Sequence, residues 1–339
     1  MHEPFAQPGL ASRLCAVAAI LLAATGVIPA HAQTKHYSFG YDQPHTTGYG
    51  IVGDIFNDKL TELSHGTMVI DQFPGAQLGQ EPQMLQKIRT GDIDFIITST
   101  ANAATVSPES GVLSLHYLFK SEDHMIKALA SPALTAAVSE MFASTVTGAH
   151  VLGMSTLGLR DMYSKKPIRS LADIKGLKVR VQATATEDAI FPAYGAQTVH
   201  MPFGSVYTSL QTGVVDVAEN GVNVYLANKH YETAPVLSMT EHEANCSVMW
   251  VSDKLWSSLT PEQQGWVQAA ADAVSTTQPA KALALEHESA TKLKKIGVTV
   301  VTDVKKAEFI AIAQPMQDKM AADLGPHAVK ILALARDAE

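Results

Sequence analysis

The sequence is poor in cysteine and in positive charge. Its 339 residues include 2 cysteines, Cys15 and Cys246, and only Cys246 lies beyond the apolar stretch near the start. A single cysteine cannot form an intramolecular disulfide, so we expect the hydrophobic core to hold the fold. There are 25 lysines and arginines against 33 acidic residues, for a net charge of −8. That balance excludes the basic footprint of a nucleic-acid-binding protein.

The apolar run at residues 14–28 is too short for a comfortable membrane span. Arg13 precedes it, and Ala-His-Ala at residues 30–32 gives a small-x-small cleavage pattern. We predict a secretory signal peptide over residues 1–32, cleaved after Ala32, with a buried or signal-anchor helix as the alternative. Cys15 begins the run, whereas a lipid-anchored cysteine belongs at its end, so we expect a free soluble product.

An arginine stands on a predicted strand in the middle of the chain. Apolar residues at 177, 179 and 181 alternate with Lys178, Arg180 and Gln182, which indicates a strand with one apolar face. A segment of helical periodicity follows and ends at Gly213, and a second apolar strand then reaches Asn220. If Arg180 and Asn220 face one cleft, the pair suits a carboxylate, since guanidinium binds it through two parallel hydrogen bonds and an amide adds a donor.

These segments carry a family resemblance. GLKVRVQ (176–182) and YGAQTVHMPFGSVYTSLQTGVVDVAEN (194–220), followed by KHYE and MTEH, resemble the solute-binding proteins of TRAP transporters, the DctP family. The likeness begins near FGYDQPHTT (39–47) and covers essentially all of the chain after residue 32. It departs at Val217, where the family usually has glycine, and this extra bulk could alter the backbone approach before Asn220.

The resemblance implies a periplasmic-binding-protein-like α/β fold of two lobes with discontinuous chain and hinge strands. We expect lobe I at residues 33–157 plus 246–286, and lobe II at 158–245 plus 287–339. A long spine helix is indicated independently, because Thr260, Pro261 and Gln263 form an N-terminal capping pattern and helical periodicity runs to residue 296. Pro279 should kink it. A late strand at 297–304 and one final helix over 319–335 complete the prediction.

The resemblance also implies the binding residues. Arg180 matches the family arginine that forms a salt bridge to the ligand carboxylate, and Arg160 matches a second arginine in the cleft. From the residues alone, Arg160 reads as a surface arginine, Arg180 as a partner of an acidic neighbour, Glu81 as a helix N-terminal carboxylate, Ser99 as a helix cap and His45 as a solvated loop residue. The predicted ligand-binding set is Arg180, Arg160, Asn220, Phe203, Gln182, Glu81, Ser99 and His45.

The function implied is that of a periplasmic receptor that captures a small organic acid and delivers it to TRAP membrane subunits. Sugar acids, 2-oxo or 2-hydroxy acids and aromatic monocarboxylates present the same head group, and the polar residues Glu81, His45 and Ser99 favour a hydroxylated tail. We expect no nucleic-acid partner, no cofactor and no catalytic or metal site.

Two other classes of function compete with a transport receptor. Gly48, Gly50 and Gly53 spell GxGxxG before a predicted helix, as in dinucleotide enzymes, but five residues separate them from the preceding strand, where the fingerprint has almost none. His242 and Cys246 are spaced like a metal pair or a nucleophile and base, yet no second ligand pair or third orienting group is recognisable. A ligand sensor without transport is the third reading.

Overall fold

The computed structural model describes residues 1–2 and 33–338, and from Thr34 onward the chain forms one compact unit. The predicted cleavage site and the apolar run before it lie outside the described residues. Within the described part, no helix combines the length and apolar character that crossing a bilayer requires.

The unit is a mixed α/β structure, as predicted, with 9 strands in one sheet among the described residues. The strands are β1 (Lys35–Gly40), β2 (Met68–Phe73), β3 (Phe95–Ser99), β4 (Ala149–Ser164), β5 (Lys178–Val181), β6 (Gln197–His200), β7 (Val217–Gly221), β8 (Val236–Ser252) and β9 (Thr299–Val301).

Helices cover both faces of the sheet. They are α1 (Gly48–Leu63), α2 (Glu81–Thr90), α3 (Thr100–Ala103), α4 (Glu122–Leu129), α5 (Pro132–Ala143), α6 (Leu171–Ile174), α7 (Ala185–Ala193), α8 (Val206–Thr212), α9 (Val222–Ala227), α10 (Asp253–Ser258), α11 (Pro261–Lys295), α12 (Lys306–Leu324) and α13 (Pro326–Arg336). Short 3₁₀ segments lie at Pro108–Ser114, Phe203–Ser205 and His230–Glu232.

Two long antiparallel strands, β4 and β8, join the halves of the sheet. The strand order is β2-β1-β3-β8-β4-β7-β5-β6, and β9 pairs with the first part of β8. The β4–β8 register shifts between Val151 and Gly153, between Thr156 and Leu159, and between Arg160 and Met162. Such irregularities bend and twist a strand locally. The sheet therefore has its bends where the chain passes from one half to the other.

The hydrophobic core divides by the face of the sheet. Side chains of a strand point alternately to opposite faces, and accordingly Ile96 and Trp250 belong to one cluster while Phe95 and Val251 belong to the other. Both clusters draw residues from both halves of the chain. The chain does form two hydrophobic cores. They lie on opposite faces of the sheet, and each extends through both halves of the chain.

The long helix predicted from its N-terminal capping pattern is confirmed as α11, of 35 residues. At about 1.5 Å per residue it spans roughly 50 Å. It packs against α1 and β4 and also against α9 and β9, so it touches both halves of the sheet. It continues through Pro279, where the kink stays a prediction.

The prediction of one final helix over residues 319–335 is wrong. The helix α12 ends at Leu324 and α13 begins at Pro326. Gly325 has φ 141°, a conformation open essentially to glycine, and proline supplies no N–H to continue a helix.

Candidate functional site

A narrow cavity, with room for about one water molecule, lies where the carboxyl ends of β1, β3, β5 and β7 converge. Ligands of open α/β sheets bind at this end of the strands. The cavity is lined by Asp42, Gln43, Tyr49, Glu81, Ser99, Asn102, Leu157, Arg160, Arg180, Gln182, Phe203, Asn220 and Asn245.

Arg180 lies on β5 and is 2% exposed. Its Nε and Nη2 donate hydrogen bonds to the carbonyl oxygen of Met201, at 3.2 and 2.9 Å. Within the described residues it forms no ion pair, although it lines the cavity. Burial lowers its pKa, and the charge of Glu219 opposes that shift. A buried guanidinium without a carboxylate partner is costly, so this group is poised to receive an anion.

Arg160 on β4 is also buried, but Glu219 neutralises it. Its Nε and Nη2 each donate to a different carboxylate oxygen of Glu219, and Glu243 Oε2 lies 3.3 Å from Nε. Burial alone would lower the pKa of Arg160, but Glu219 and Glu243 outweigh burial and raise it above its ordinary value. Arg160 therefore reaches the cavity as one member of an ion pair, whereas Arg180 reaches it as a cation.

Asn220 is oriented by its neighbours. Its Oδ1 accepts hydrogen bonds from the backbone N–H of Gly221 and from Nδ2 of Asn245, both at 2.9 Å. Because both bonds go to the oxygen, the amide nitrogen of Asn220 keeps its donors for another group. This is the role that an amide beside a carboxylate would have.

A second, acidic part of the cavity centres on Glu81. Its Oε2 accepts from the backbone N–H and Oγ of Ser99 and from Nδ2 of Asn102, and its Oε1 accepts from the hydroxyl of Tyr49. Burial raises the pKa of Glu81, and burial together with the charge of Glu81 raises that of Asp42 well above its usual value. These acids and their polar neighbours offer acceptors and donors suited to hydroxyl groups.

The remaining predicted residues complete the walls. Gln182 donates from Nε2 to Ser99 Oγ at 2.8 Å, which links the end of β5 to the end of β3. The ring of Phe203 packs on His230 with ring centroids 5.4 Å apart and closes one side of the cavity. Ser99 lines the cavity and also caps α3, since its hydroxyl accepts a hydrogen bond from the backbone N–H of Asn102.

His45 is the one predicted residue that the structure does not bring to the cavity lining. Its side chain is half exposed, and Nε2 lies 3.1 Å from Asp54 Oδ1 on the first helix. The tight turn into α1 explains the placement, since a Cβ at Gly50 would fall 1.8 Å from the carbonyl oxygen of His45. The solvated-loop reading of His45 fits this position.

Sequence reasoning missed several lining residues. Asp42 and Gln43 follow directly after β1, at the strand end where ligands bind, and that position alone was a usable signal. The others, Tyr49, Asn102, Leu157 and Asn245, approach the cavity from the helices α1 and α3 and from the two long strands, and no local pattern marks them.

The glycines of the GxGxxG pattern are explained by packing. A Cβ at Gly53 would lie 2.1 Å from Gln72 Oε1, and a Cβ at Gly48 would lie 3.1 Å from both Leu157 Cδ2 and the carbonyl oxygen of Thr156. Protein atoms therefore fill the space beside these glycines that a pyrophosphate would need in a dinucleotide site.

The Cys246 thiol has none of the features of an activated nucleophile. It is buried and free, and burial followed by the charge of Glu243 raises its pKa. Reactive cysteines have a lowered pKa and partial exposure. Glu241, which lies on the same strand as Cys246, forms an ion pair with Lys306.

A larger groove lies on the surface, with about 930 Å³ of empty space. It is lined by Ser164, Lys165, Lys166, Pro167, Ile168, Asp173, Leu177, Gly213, Val215 and Asp216. It lacks the converging buried polar side chains of the cavity described above. We therefore take the smaller cavity as the candidate site.

Comparison with known proteins gives a consistent result. The family model for bacterial extracellular solute-binding proteins, family 7 (DctP), matches residues 39–324. The 2,3-diketo-L-gulonate-binding periplasmic protein YiaO of Escherichia coli K12 is 29% identical over 290 residues, which are 84% of this chain and 87% of that protein.

Solved structures agree. A TRAP periplasmic solute binding protein from Xanthobacter autotrophicus Py2 with bound β-D-galacturonate is 32% identical, with a TM-score of 0.81 over 89% of this chain and all of that one. The sugar acid binding protein DctPAm from Advenella mimigardefordensis, in complex with galactonate, is 26% identical, with a TM-score of 0.82 over 91% of this chain and 99% of that one.

Proposed function

Because the chain belongs to the family 7 (DctP) solute-binding proteins, the periplasmic receptors of TRAP transporters, we propose that it binds a monocarboxylic sugar acid in the cavity and delivers it to TRAP membrane subunits. The family supplies the transport role, and its members bind substrates without converting them. The geometry of the cavity supports the class of ligand.

Arg180 is the observation that carries the proposal. Its guanidinium is buried, positioned by Met201 and free of any ion pair within the described residues. A ligand carboxylate would supply the missing negative charge through bidentate hydrogen bonds, and the free amide donors of Asn220 would add a further contact. Arg160 is already paired with Glu219, so it would line the cavity beside the ligand without being the main partner of the ligand carboxylate.

The other end of the cavity favours hydroxyl groups. Apart from Leu157, Phe203 and the ring of Tyr49, every lining residue is polar or charged. An aromatic ring would desolvate this polar lining without giving its groups hydrogen bonds in return, and such losses discriminate strongly against a ligand. A sugar acid would pair these groups with hydroxyls. Relatives with bound galacturonate and galactonate support this choice.

We propose the lobe boundaries predicted above, with residues 33–157 plus 246–286 in lobe I and residues 158–245 plus 287–339 in lobe II. Three hydrogen bonds then join the lobes around the cavity: Gln182 to Ser99, Gly204 N–H to Gln80 Oε1 at 3.2 Å, and Asn228 Nδ2 to Gln43 Oε1 at 3.1 Å. They fit a closed form in which the ligand is shut away from water. Closure would strengthen the attraction between Arg180 and a carboxylate, because the local dielectric falls.

Delivery to membrane subunits requires export. The Arg13 charge, the apolar run and the Ala-His-Ala pattern support secretion with cleavage after Ala32. In the periplasm, the closed and loaded form would dock on the membrane subunits and release the sugar acid there.

The test is a matched series of ligands measured by isothermal titration calorimetry and thermal shift. D-galacturonate, D-glucuronate and D-galactonate should bind and raise the melting temperature, by an amount that grows with the logarithm of the ratio of ligand concentration to Kd. D-galactose and the methyl ester of galacturonate keep the hydroxyls but lack the carboxylate charge, so they should bind at least about 100-fold more weakly. Stabilisation by NAD alone, or equal binding of galactose and galacturonate, would overturn the proposal.

A further inference from the structure

Behind the cavity, a cluster of buried titratable side chains has converging atoms without hydrogen bonds. His116 follows the 3₁₀ segment Pro108–Ser114, His242 and Glu243 lie on β8, and Glu187 lies on α7. All four are at most 3% exposed. One ligand atom from each of His116, His242 and Glu243 lies within 4.8 Å of the others. We propose that these four residues bind one divalent transition-metal ion, with Zn²⁺ the best match.

The first support is that the inward atoms lack partners. His116 Nε2, His242 Nε2 and both carboxylate oxygens of Glu187 have no hydrogen-bond partner among the described residues. Glu243 Oε2 likewise forms no hydrogen bond, although it lies 3.3 Å from Arg160 Nε in an ion pair. Glu187 Oε1 lies 3.6 Å from His116 Nε2, which brings a fourth ligand to the group. Buried polar atoms are nearly always hydrogen-bonded, so this group of unbonded atoms needs an explanation.

The second support is the orientation of the two imidazoles. The outer nitrogens are engaged, His242 Nδ1 with Thr240 Oγ1 at 2.8 Å and His116 Nδ1 with the hydroxyl of Tyr194 at 3.0 Å. The N–H of Tyr117 donates to the carbonyl oxygen of His242 at 2.7 Å and sets the two histidine segments side by side. Histidines that bind metals are fixed in this way through the nitrogen that faces away from the metal.

Two imidazoles and two carboxylates form the ligand set of a closed tetrahedral Zn²⁺ site, with bonds of about 2.0–2.2 Å. The site would connect the segment at residue 116, the helix α7 and the strand β8. It would act as a structural crosslink in a chain whose described part contains a single, free cysteine. The sequence shows only the His242 and Glu243 half of this set, because the other half lies more than fifty residues away on either segment.

The experiment uses the whole chain without a polyhistidine tag, unfolded in urea with EDTA and refolded with ZnCl₂ or CoCl₂, because a fully buried site loads during folding. We expect about one metal per chain after dialysis, a higher melting temperature with Zn²⁺, and the visible absorption of tetrahedral Co²⁺. Wild-type protein that refolds without retained metal and without the Co²⁺ band overturns the proposal, and leaves the cluster neutralised by protons.

Variants locate the ion. His116→Gln and Glu187→Gln should each lower metal affinity at least about tenfold and weaken the Co²⁺ band. The matched control is His36→Gln, which removes an exposed histidine that pairs with Asp71 on the sheet edge and should leave stoichiometry and spectrum unchanged. Circular dichroism verifies that each variant is folded. A Co²⁺ band that persists in folded His116→Gln protein contradicts the assignment.

Discussion

Arg180 and Met201 are joined by a forked contact in which one backbone carbonyl oxygen accepts from both Nε and Nη2 of the guanidinium. The contact holds the planar group in one orientation before any ligand arrives. The same side chain lines the cavity. Positioning of this kind lowers the entropy that binding must remove and so favours affinity.

Arg180→Lys is expected to weaken sugar-acid binding by about 2 kcal/mol or more, which is roughly 30-fold, because lysine keeps the charge but cannot form the bidentate contact or the fork to Met201. Calorimetry with D-galacturonate measures the change. The control is Arg169→Lys, since Arg169 forms an exposed pair with Asp303 far along the chain. Unchanged affinity in Arg180→Lys would remove this residue from the site.

Glu219→Gln is expected to destabilise the protein by about 3 kcal/mol, because it removes the carboxylate that binds the buried Arg160 through two hydrogen bonds and leaves only the longer contact with Glu243. Urea unfolding followed by circular dichroism gives the free energy. Asp303→Asn breaks an exposed arginine pair in the same chain and should cost less than about 1 kcal/mol. Equal losses in the two variants would contradict the importance assigned to burial.

Gly158→Ala tests the bend between Thr156 and Leu159. Gly158 has φ 98°, and a Cβ there would lie 2.5 Å from Glu286 Cγ. Gly176 has φ 78° with no heavy atom within 4 Å of its Cβ position. Both substitutions place alanine in the left-handed backbone region, which costs about 1–2 kcal/mol of stability. Gly158→Ala should therefore lower the free energy of unfolding more than Gly176→Ala, by the cost of the clash with Glu286. Chemical denaturation compares them, and equal values would show that Glu286 yields without cost.

His230 should make stability depend on pH. Burial, followed by the charge of Arg180, lowers its pKa to about 4, from 6.5. As the pH falls, the unfolded chain takes up the His230 proton at a higher pH than the folded chain does. The contribution of neutral His230 to stability is therefore complete above about pH 6.5 and is lost as the pH falls toward 4, by up to roughly 3 kcal/mol.

The measurement is the free energy of unfolding of wild type and His230→Gln between pH 4 and pH 7. In wild type, His230 should make the free energy of unfolding fall by up to about 1.4 kcal/mol for each pH unit of acidification in this range. The variant lacks this contribution, so its free energy of unfolding should depend less steeply on pH. His200→Gln is the control, since His200 is exposed and pairs with Asp188 at the surface. A slope that is the same in wild type and His230→Gln would show that His230 titrates normally.

Cys246 should react with a thiol reagent only after unfolding. It is 1% exposed, and its raised pKa keeps the thiol protonated. In protein without residues 1–32 it is the sole thiol, so Ellman's reagent should give about one equivalent in denaturant and essentially none in buffer. Rapid labelling of the native protein would contradict the burial.

Local patterns were enough to predict α11, α2 and the strand that carries Arg180, because caps, glycine stops and hydrophobic periodicity act within a few residues. Local signals did not reveal that Glu219 neutralises Arg160, since the partners are 59 residues apart and adjacent only across β4 and β7. The same holds for His116 beside His242, which meet through one backbone hydrogen bond. The positions of Arg180, Asn220, Glu81 and Ser99 around one cavity came from the family likeness, which carries the tertiary information that periodicity lacks.

The division of the core also escaped the sequence. Alternation along β3 and β8 predicts which residues share a face, but not that both faces continue through both halves of the molecule.

The strands β4 and β8 each run through the whole sheet, and this has a consequence for assembly of the polypeptide. Neither half of the sheet contains all of its own strands, because β8 pairs with β3 through its last residues and with β9 through its first residues. A fragment cut anywhere between them would expose long unpaired edges on both pieces. The protein therefore folds as a unit, because neither half of the sheet is complete until β8 has joined it.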